Sequence, residues 1–86
     1  MKGTTASGFA FDIPDETRND MELLEALTDL QEGDGTALVP IVRKILGKRK
    51  GALYDHLRTE DGRVSVDRVS AEIIEIFKAL KDGPKS

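Results

Sequence analysis

The sequence has one imidazole, His56, and an imidazole can act as a general base or as a metal ligand. Either role needs partner groups held at hydrogen-bond or coordination distance. Asp55 directly precedes His56, so on a helix the two side chains point in different directions. The chain has no cysteine that could complete a thiolate metal site or act as a nucleophile. We therefore interpret His56 as a half-buried structural residue and predict no catalytic site, no metal site, no cofactor and no enzyme activity.

Two segments, 33–35 and 59–64, contain glycine and acidic residues, as some ion-binding loops do. If Gly62 were the sixth position of a calcium-binding EF-hand loop, the first and twelfth positions would be Leu57 and Arg68. Both positions need oxygen ligands, so the alignment argues against calcium binding. The run Gly33-Asp34-Gly35 lacks the downstream lysine of a phosphate-binding loop. Both segments are therefore predicted to be turns.

Charge is divided unevenly along this chain, whose formal net charge is −3. Nine acidic residues and one basic residue lie between positions 12 and 34. Six basic residues and one acidic residue lie between positions 43 and 58. Segments of opposite sign can support head-to-tail contact between copies, or binding to a charged partner. The alternative is that both are solvated helix faces, whose exposed ion pairs contribute little stability.

The basic residues that are closest in sequence are candidates for contact with a partner: Arg43, Lys44, Lys48, Arg49 and Lys50. Such side chains can neutralise the phosphates of a nucleic acid. However, the chain is acidic overall, and its three Phe and one Tyr offer no platform on which bases could stack. We therefore assign Lys48, Arg49 and Lys50 to a protein partner. A small regulatory nucleic-acid-binding protein is the alternative.

The length of 86 residues predicts a single domain. Residues 1–8 and 83–86 are small and polar and are predicted to be disordered tails, which leaves one helical domain over 9–82. The sequence has neither the pattern of a signal peptide nor the roughly 20 consecutive apolar residues of a membrane span. Because it also lacks cysteines for disulfides, we expect a cytoplasmic protein with no membrane contact.

Apolar residues recur at three- and four-residue steps in several segments, which predicts a mainly α protein. We expect a compact bundle of about four helices with a short N-terminal extended segment. Asp20 is the predicted N-cap of the first helix. The third helix is the shortest, at about 50–58, and the last has the clearest apolar stripe, from Val66 to Leu80.

Some apolar residues are candidates for contact with another protein. Phe9, Phe11 and Ile13 alternate and would lie on one side of an extended segment. A lone strand is unstable, so this segment must pack on the helices or pair with another chain, and we predict an intermolecular contact. The candidates on the helices are Leu24, Val39 and Ile74. These lie off the main apolar stripes, where they either widen the core face or meet a neighbouring copy or a client.

Three segments of the sequence carry a resemblance to a known family: 20–27 (DMELLEAL), 45–47 (ILG) and 52–64 (ALYDHLRTEDGRV). The chain resembles the small tail assembly chaperones of long-tailed bacteriophages and prophages over about residues 9–82. The resemblance implies a non-catalytic protein that coats the tape-measure protein before the tail tube polymerises around it. It also implies self-association into a homo-oligomer in the bacterial host cytoplasm, with the tail tube protein as a second candidate partner.

Overall fold

Two short strands form an antiparallel hairpin, in which β1 (Lys2–Thr4) pairs with β2 (Ala10–Asp12). The protein is seen in a computed structural model that describes residues 1–82. Gly3 of β1 lies opposite Phe11 of β2. A Cβ at Gly3 would lie 2.6 Å from the Phe11 ring, so the missing side chain makes room for the ring. This cross-strand pair lets the aromatic ring cover the backbone of β1.

The hairpin corrects two expectations from the sequence. The prediction of a disordered tail over residues 1–8 is wrong, because Lys2–Thr4 forms β1. The extended segment around Phe11 finds its strand partner within the same chain, so it needs no second chain to be paired. The predicted tail over 83–86 lies outside the described residues.

Helix α1 (Met21–Gln31) begins where the sequence predicted. The Asp20 side chain accepts a hydrogen bond from the Leu23 amide at 3.1 Å, which satisfies one of the free N–H groups of the first turn. The predicted N-cap is therefore confirmed. Leu23 and Leu27 are buried one turn apart and pack α1 against α2 (Leu38–Leu46).

A helical segment without any loop extends from residue 35 to residue 57. It consists of a 3-10 turn (Gly35–Ala37), α2, a second 3-10 turn (Gly47–Arg49) and α3 (Lys50–Leu57). Gly47 ends α2 with a φ of +53°, in the left-handed region that favours glycine. Because α2 and α3 are joined without a loop, residues 1–82 form three helical bodies. The predicted count of about four separate helices is therefore not matched.

Helix α4 (Val66–Asp82) packs on α2 and α3 and closes the core. The core is one cluster to which the hairpin and all helices contribute: Phe9, Phe11, Ile13, Leu23, Leu27, Ala37, Leu38, Ile41, Val42, Ile45, Leu53, Leu57, Val69, Ile73, Ile76 and Leu80. The radius of gyration is 12.5 Å, close to the value of about 12 Å expected for a folded domain of this length. The fold is thus mainly helical and compact, as predicted. No helix within residues 1–82 has the length and apolar character needed to cross a membrane.

Candidate protein-binding surfaces

Four polar residues meet between the hairpin turn, α3 and α4, and we name them the Glu72 cluster: Thr5, Ser7, His56 and Glu72. Glu72 is only 5% exposed, and its Oε1 accepts hydrogen bonds from Thr5 Oγ1 at 2.8 Å and Ser7 Oγ at 2.7 Å. His56 Nε2 lies 3.1 Å from Ser7 Oγ and 3.0 Å from the Ser7 carbonyl oxygen. Donors from the hairpin turn therefore satisfy the buried carboxylate, which lowers the cost of burying it.

The Glu72 cluster holds a serine and a histidine at hydrogen-bond distance, but it does not form a nucleophile with its base. The Ser7 hydroxyl has one hydrogen, and it donates this hydrogen to Glu72 Oε1 in a hydrogen bond of 2.7 Å. The Glu72 carboxylate bonds to the serine instead of orienting the imidazole, as the carboxylate of a catalytic triad would. The cluster fastens the hairpin turn to α4.

His56 is exposed, whereas the sequence predicted a half-buried side chain. Its ring centre lies 5.8 Å from that of Phe9, and Nε2 makes the contacts to Ser7. A further bond, from the Ala6 amide to Glu75 Oε2 at 2.8 Å, ties the same turn to α4. Across residues 1–82, no group of three or more histidine, cysteine or acidic side chains is placed to hold a metal ion.

Phe9, Phe11 and Ile13 lie on one side of the extended segment, as their alternation predicted, but that side faces this chain's own core. All three side chains are buried. The physical reason is the hairpin, because pairing of β1 with β2 turns the apolar side onto the helices. Their assignment to an intermolecular contact is therefore corrected. Phe9 and Phe11 line a surface groove, although neither side chain is more than 6% exposed.

That groove lies between the hairpin and the end of α2, encloses about 230 Å³, and is named here the Arg49 groove. Its apolar floor is formed by Phe9, Phe11, Ile45 and Leu46. The Arg49 guanidinium carbon lies 5.7 Å from the centre of the Phe9 ring, a cation–π contact that places the positive charge over the floor. The other residues of the groove are Asp12, Pro14, Lys44 and Gly47. The Arg49 groove therefore combines an apolar floor with a basic rim.

The basic residues assigned to a partner lie at or next to this groove. Arg49 lines it, Lys48 is exposed beside Arg49 in the same 3-10 turn, and Lys50 is half-buried at the start of α3. An adjoining groove of about 410 Å³ shares Arg49 with the first and adds Lys2 from β1. Lys44 is engaged within the chain, since its Nζ lies 3.0 Å from Asp20 Oδ2. Because of this ion pair, Lys44 is less available to a phosphate than the sequence suggested.

The outward face of α1 forms a second shallow groove of about 220 Å³, named here the α1 groove. Met21 is 66% exposed and Leu24 is 47% exposed, so two large apolar side chains lie in water there. Met21, Leu24, Glu25 and Thr28 are three or four residues apart and therefore lie next to one another on α1, whereas Leu23 and Leu27 are buried. The other residues of the α1 groove are Glu25, Thr28 and Asp29.

The α1 groove has an acidic surround. The acidic residues of α1 are Glu22, Glu25 and Asp29, all exposed, and the helix contains no lysine or arginine. At the start of the helix, the hydrogen bond from Lys44 holds the pKa of Asp20 below its ordinary value, and the helix amide bonded to Asp20 adds to the effect. The chain thus presents one apolar groove with acidic edges and one with basic edges.

Leu24, Val39 and Ile74 were expected to act alike, but the structure separates them. Leu24 lines the α1 groove, Val39 is 49% exposed on α2 outside that groove, and Ile74 is half-buried on α4. Met21 was not among the predicted contact residues, although it is the most exposed large apolar side chain within residues 1–82. Its position three residues before Leu24 is the signal that identifies it, because residues three apart share a helix face.

The turn between α3 and α4 lines a groove of about 940 Å³, in which Arg58 and Arg63 are paired with acidic residues of the chain. Arg58 bonds Asp55 at 3.0 Å, and Arg63 bonds Asp61 at 2.9 Å. Hydrogen bonds from the Thr59 hydroxyl and from Arg63 hold the pKa of Asp61 below its ordinary value. These bonds close the turn that the sequence predicted here, and we assign this groove a structural role.

Comparisons of the chain with protein-family models, with curated proteins and with solved structures find no match. A function for this chain must therefore be inferred from its own sequence and surface. The Arg49 groove and the α1 groove enclose about 230 and 220 Å³. Pockets for small ligands typically enclose about 300 Å³ or more, so these two grooves fit the side chains of another protein better than a small molecule.

Proposed function

We propose that this chain is a tail assembly chaperone of a long-tailed bacteriophage or prophage. In this role it binds the tape-measure protein, and itself, in the cytoplasm of the bacterial host. The observation that carries the proposal is the exposed pair Met21 and Leu24 in the α1 groove, outside a core that is complete without them. Burial of such side chains in a contact is favourable by about 25 cal/mol for each Å² of apolar surface removed from water.

The positions of the resembling segments support the proposal. Segment 20–27 contains the N-cap and first two turns of α1, including most of the α1 groove. Segment 45–47 lies at the end of α2, where it lines the Arg49 groove. Segment 52–64 covers α3 and the paired turn after it, which support the fold. Two of the three segments thus coincide with the surfaces that are open to a partner.

The chemistry of the α1 groove defines the client segment that it would bind. The client needs apolar side chains at helical spacing to cover Met21 and Leu24, as in recognition of an amphipathic helix by a groove. Basic residues flanking those anchors would meet Glu25 and Asp29. A long, largely helical tape-measure protein offers such segments repeatedly, so several copies of the chaperone would bind along one client.

The test is co-expression with the tape-measure protein of the phage or prophage that encodes this chain. We expect the wild-type chain to co-purify with that protein and to keep it in solution. Replacing both anchors (Met21→Ser with Leu24→Ser) should reduce the co-purified client by about tenfold or more, since fully desolvated apolar anchors dominate such contacts. The matched control is Val66→Ser, which removes an exposed apolar side chain at the start of α4, outside the α1 groove, and should leave binding unchanged.

Two results would contradict the proposal. One is a tape-measure protein that fails to co-purify with the wild-type chain. The other is a double variant that is folded and binds the client as well as Val66→Ser does. Binding to duplex DNA that weakens steeply with salt, and that is lost when Lys48 and Arg49 are replaced, would favour the nucleic-acid alternative instead.

A further inference from the structure

We propose that a second copy of this chain inserts its α1 groove residues into the Arg49 groove, so that free copies cover each other's client-binding surface. The inference rests on the proposed function, because it assigns the self-association of that chaperone to two particular surfaces. It also adds a consequence, which is that a second copy and the client compete for α1.

The apolar parts of the two surfaces are complementary. Met21 and Leu24 lie on the outward face of α1, and both side chains are exposed. The Arg49 groove is concave, and its floor contains Phe9, Phe11 and Leu46. Methionine has a flexible, polarisable side chain that adapts well to aromatic surfaces. Contact between the two surfaces would therefore remove the exposed anchors of one copy from water and would cover Leu46, which is half-buried in the groove of the other.

The charges around the two surfaces are complementary as well. Glu25 and Asp29 lie beside the apolar anchors of α1, and both are exposed. Arg49 lines the opposite groove, and Lys48 is exposed beside it in the same 3-10 turn. The groove also has one acidic residue, Asp12, so the basic residues exceed the acidic one. Contact between surfaces of opposite sign accelerates association and fixes its register, and it weakens as salt screens the charges. We therefore expect self-association to weaken by about tenfold between low salt and high salt.

A single copy cannot bring its own two surfaces together. The buried side of α1 packs on α2 through Leu23 and Leu27, so the α1 groove faces away from the rest of the chain. Lys44 joins the two regions, because it lines the Arg49 groove and bonds Asp20 at the start of α1. This bond fixes the end of α2 against the start of α1. The surface complementary to the α1 groove is thus available only on another copy.

The test exchanges the charges of the two surfaces. In the first variant, Lys48→Glu with Arg49→Glu makes the Arg49 groove acidic. In the second variant, Glu25→Lys with Asp29→Lys makes the α1 groove basic. Each variant alone then brings like charges together, which opposes association. In an equimolar mixture, each surface finds a partner surface of opposite sign.

Sedimentation velocity from micromolar to millimolar concentration gives the readout, with circular dichroism to show that each variant is folded. We expect the wild-type chain to associate as concentration rises, each variant to sediment as a monomer, and the mixture to regain association to within about threefold of wild type. The control, Lys78→Glu with Lys81→Glu, makes the same change in net charge on exposed residues of α4 and should associate like wild type.

The inference is overturned by a wild-type chain that stays monomeric, by folded variants that still associate alone, or by a mixture that stays monomeric. These failures are separate from failure of the proposed function. The variant with an acidic Arg49 groove keeps Met21 and Leu24 and should still co-purify the tape-measure protein. If it does so while the mixture fails to associate, the self-contact is wrong and the chaperone assignment stands.

Discussion

The Glu72 cluster and the α1 groove both contain acidic side chains, but these side chains are buried in the cluster and exposed in the groove. Glu72 is buried and accepts hydrogen bonds from two hydroxyl groups that lie 67 and 65 positions away in sequence. Glu25 and Asp29 are exposed beside Met21 and Leu24, which are also exposed. The first region uses its polar groups to join distant parts of the fold. The second leaves polar and apolar groups free for a partner.

This difference shows how a structural region can be told from a contact surface in so small a domain. Buried polar atoms that find every partner within the chain belong to the fold. Large apolar side chains that are exposed together next to charges indicate an interaction site. Met21 and Leu24 are exposed together beside Glu25 and Asp29, so on this criterion the α1 groove is a candidate interaction site.

The largest expected difference is between the effects on stability of replacing a core side chain and of replacing a side chain of the α1 groove. Phe11→Ala removes a buried ring that covers Gly3, and we expect it to lower the free energy of unfolding by about 3–5 kcal/mol. Met21→Ala removes an exposed side chain and should change that free energy by no more than about 0.5 kcal/mol. Urea unfolding followed by circular dichroism measures both. Similar losses would mean that the α1 groove is part of the core.

A smaller effect is expected at the Glu72 cluster. Glu72→Ala leaves the Thr5 and Ser7 hydroxyls without their acceptor, and we expect the free energy of unfolding to fall by about 1–3 kcal/mol. The matched control is Glu75→Ala, which removes a less buried carboxylate that accepts one bond from the Ala6 amide, and should cost less. Amide hydrogen exchange should also accelerate first in the hairpin. If the Glu75 variant were as unstable as the Glu72 variant, the greater contribution assigned to the buried carboxylate would be wrong.

The smallest expected effect is in the pH dependence set by Asp20. Its pKa is lower in the folded chain than its ordinary value, chiefly because of the hydrogen bond from Lys44. A lowered pKa means that the ionised carboxylate adds stability above its unfolded pKa, and that this stability is lost as pH falls through the folded pKa. Asp20→Asn keeps an N-cap side chain but removes the charge. Its melting temperature should lie a few degrees below wild type at neutral pH.

The outcome that supports this linkage is a difference between Asp20→Asn and wild type that shrinks as the solution is acidified below the folded pKa of Asp20. Differential scanning calorimetry across that range measures it, and the subtraction cancels the titration of the other acidic groups. A difference that stays constant with pH would show that the ion pair with Lys44 contributes nothing to stability, as is common for exposed pairs.

Much of the fold could be predicted because it depends on local patterns. The Asp20 cap, the helical stripes and the one-sided alternation of Phe9, Phe11 and Ile13 follow from side-chain types at fixed spacing. The partner of β2 could not be predicted, since β1 is three residues long and polar at both ends, with no apolar alternation. The reason for a glycine at position 3 is seen only in the strand register, which places it opposite the Phe11 ring.

The contact surfaces were predicted only in part, for physical reasons that differ between residues. The helical spacing of Met21 and Leu24 shows that the two residues share a face of α1. It does not show whether that face is buried or exposed. Arg49 was assigned to a partner from charge alone, and its position over Phe9 depends on the hairpin. Glu72 falls on the apolar side of α4, yet its hydroxyl partners are too distant in sequence for any local pattern to reveal them.

The most direct test of the central claim is a dilution series of the ¹⁵N-labelled wild-type chain, followed by amide chemical shifts. If α1 is a contact surface and the Glu72 cluster is structural, the concentration-dependent shifts should centre on Met21–Asp29 and on residues 47–49. The amides around Ser7 and His56 should stay constant. Shifts centred on Ser7 and His56 would contradict the division of the molecule into a structural region and a contact surface, and no shift at any concentration would contradict the contact between copies.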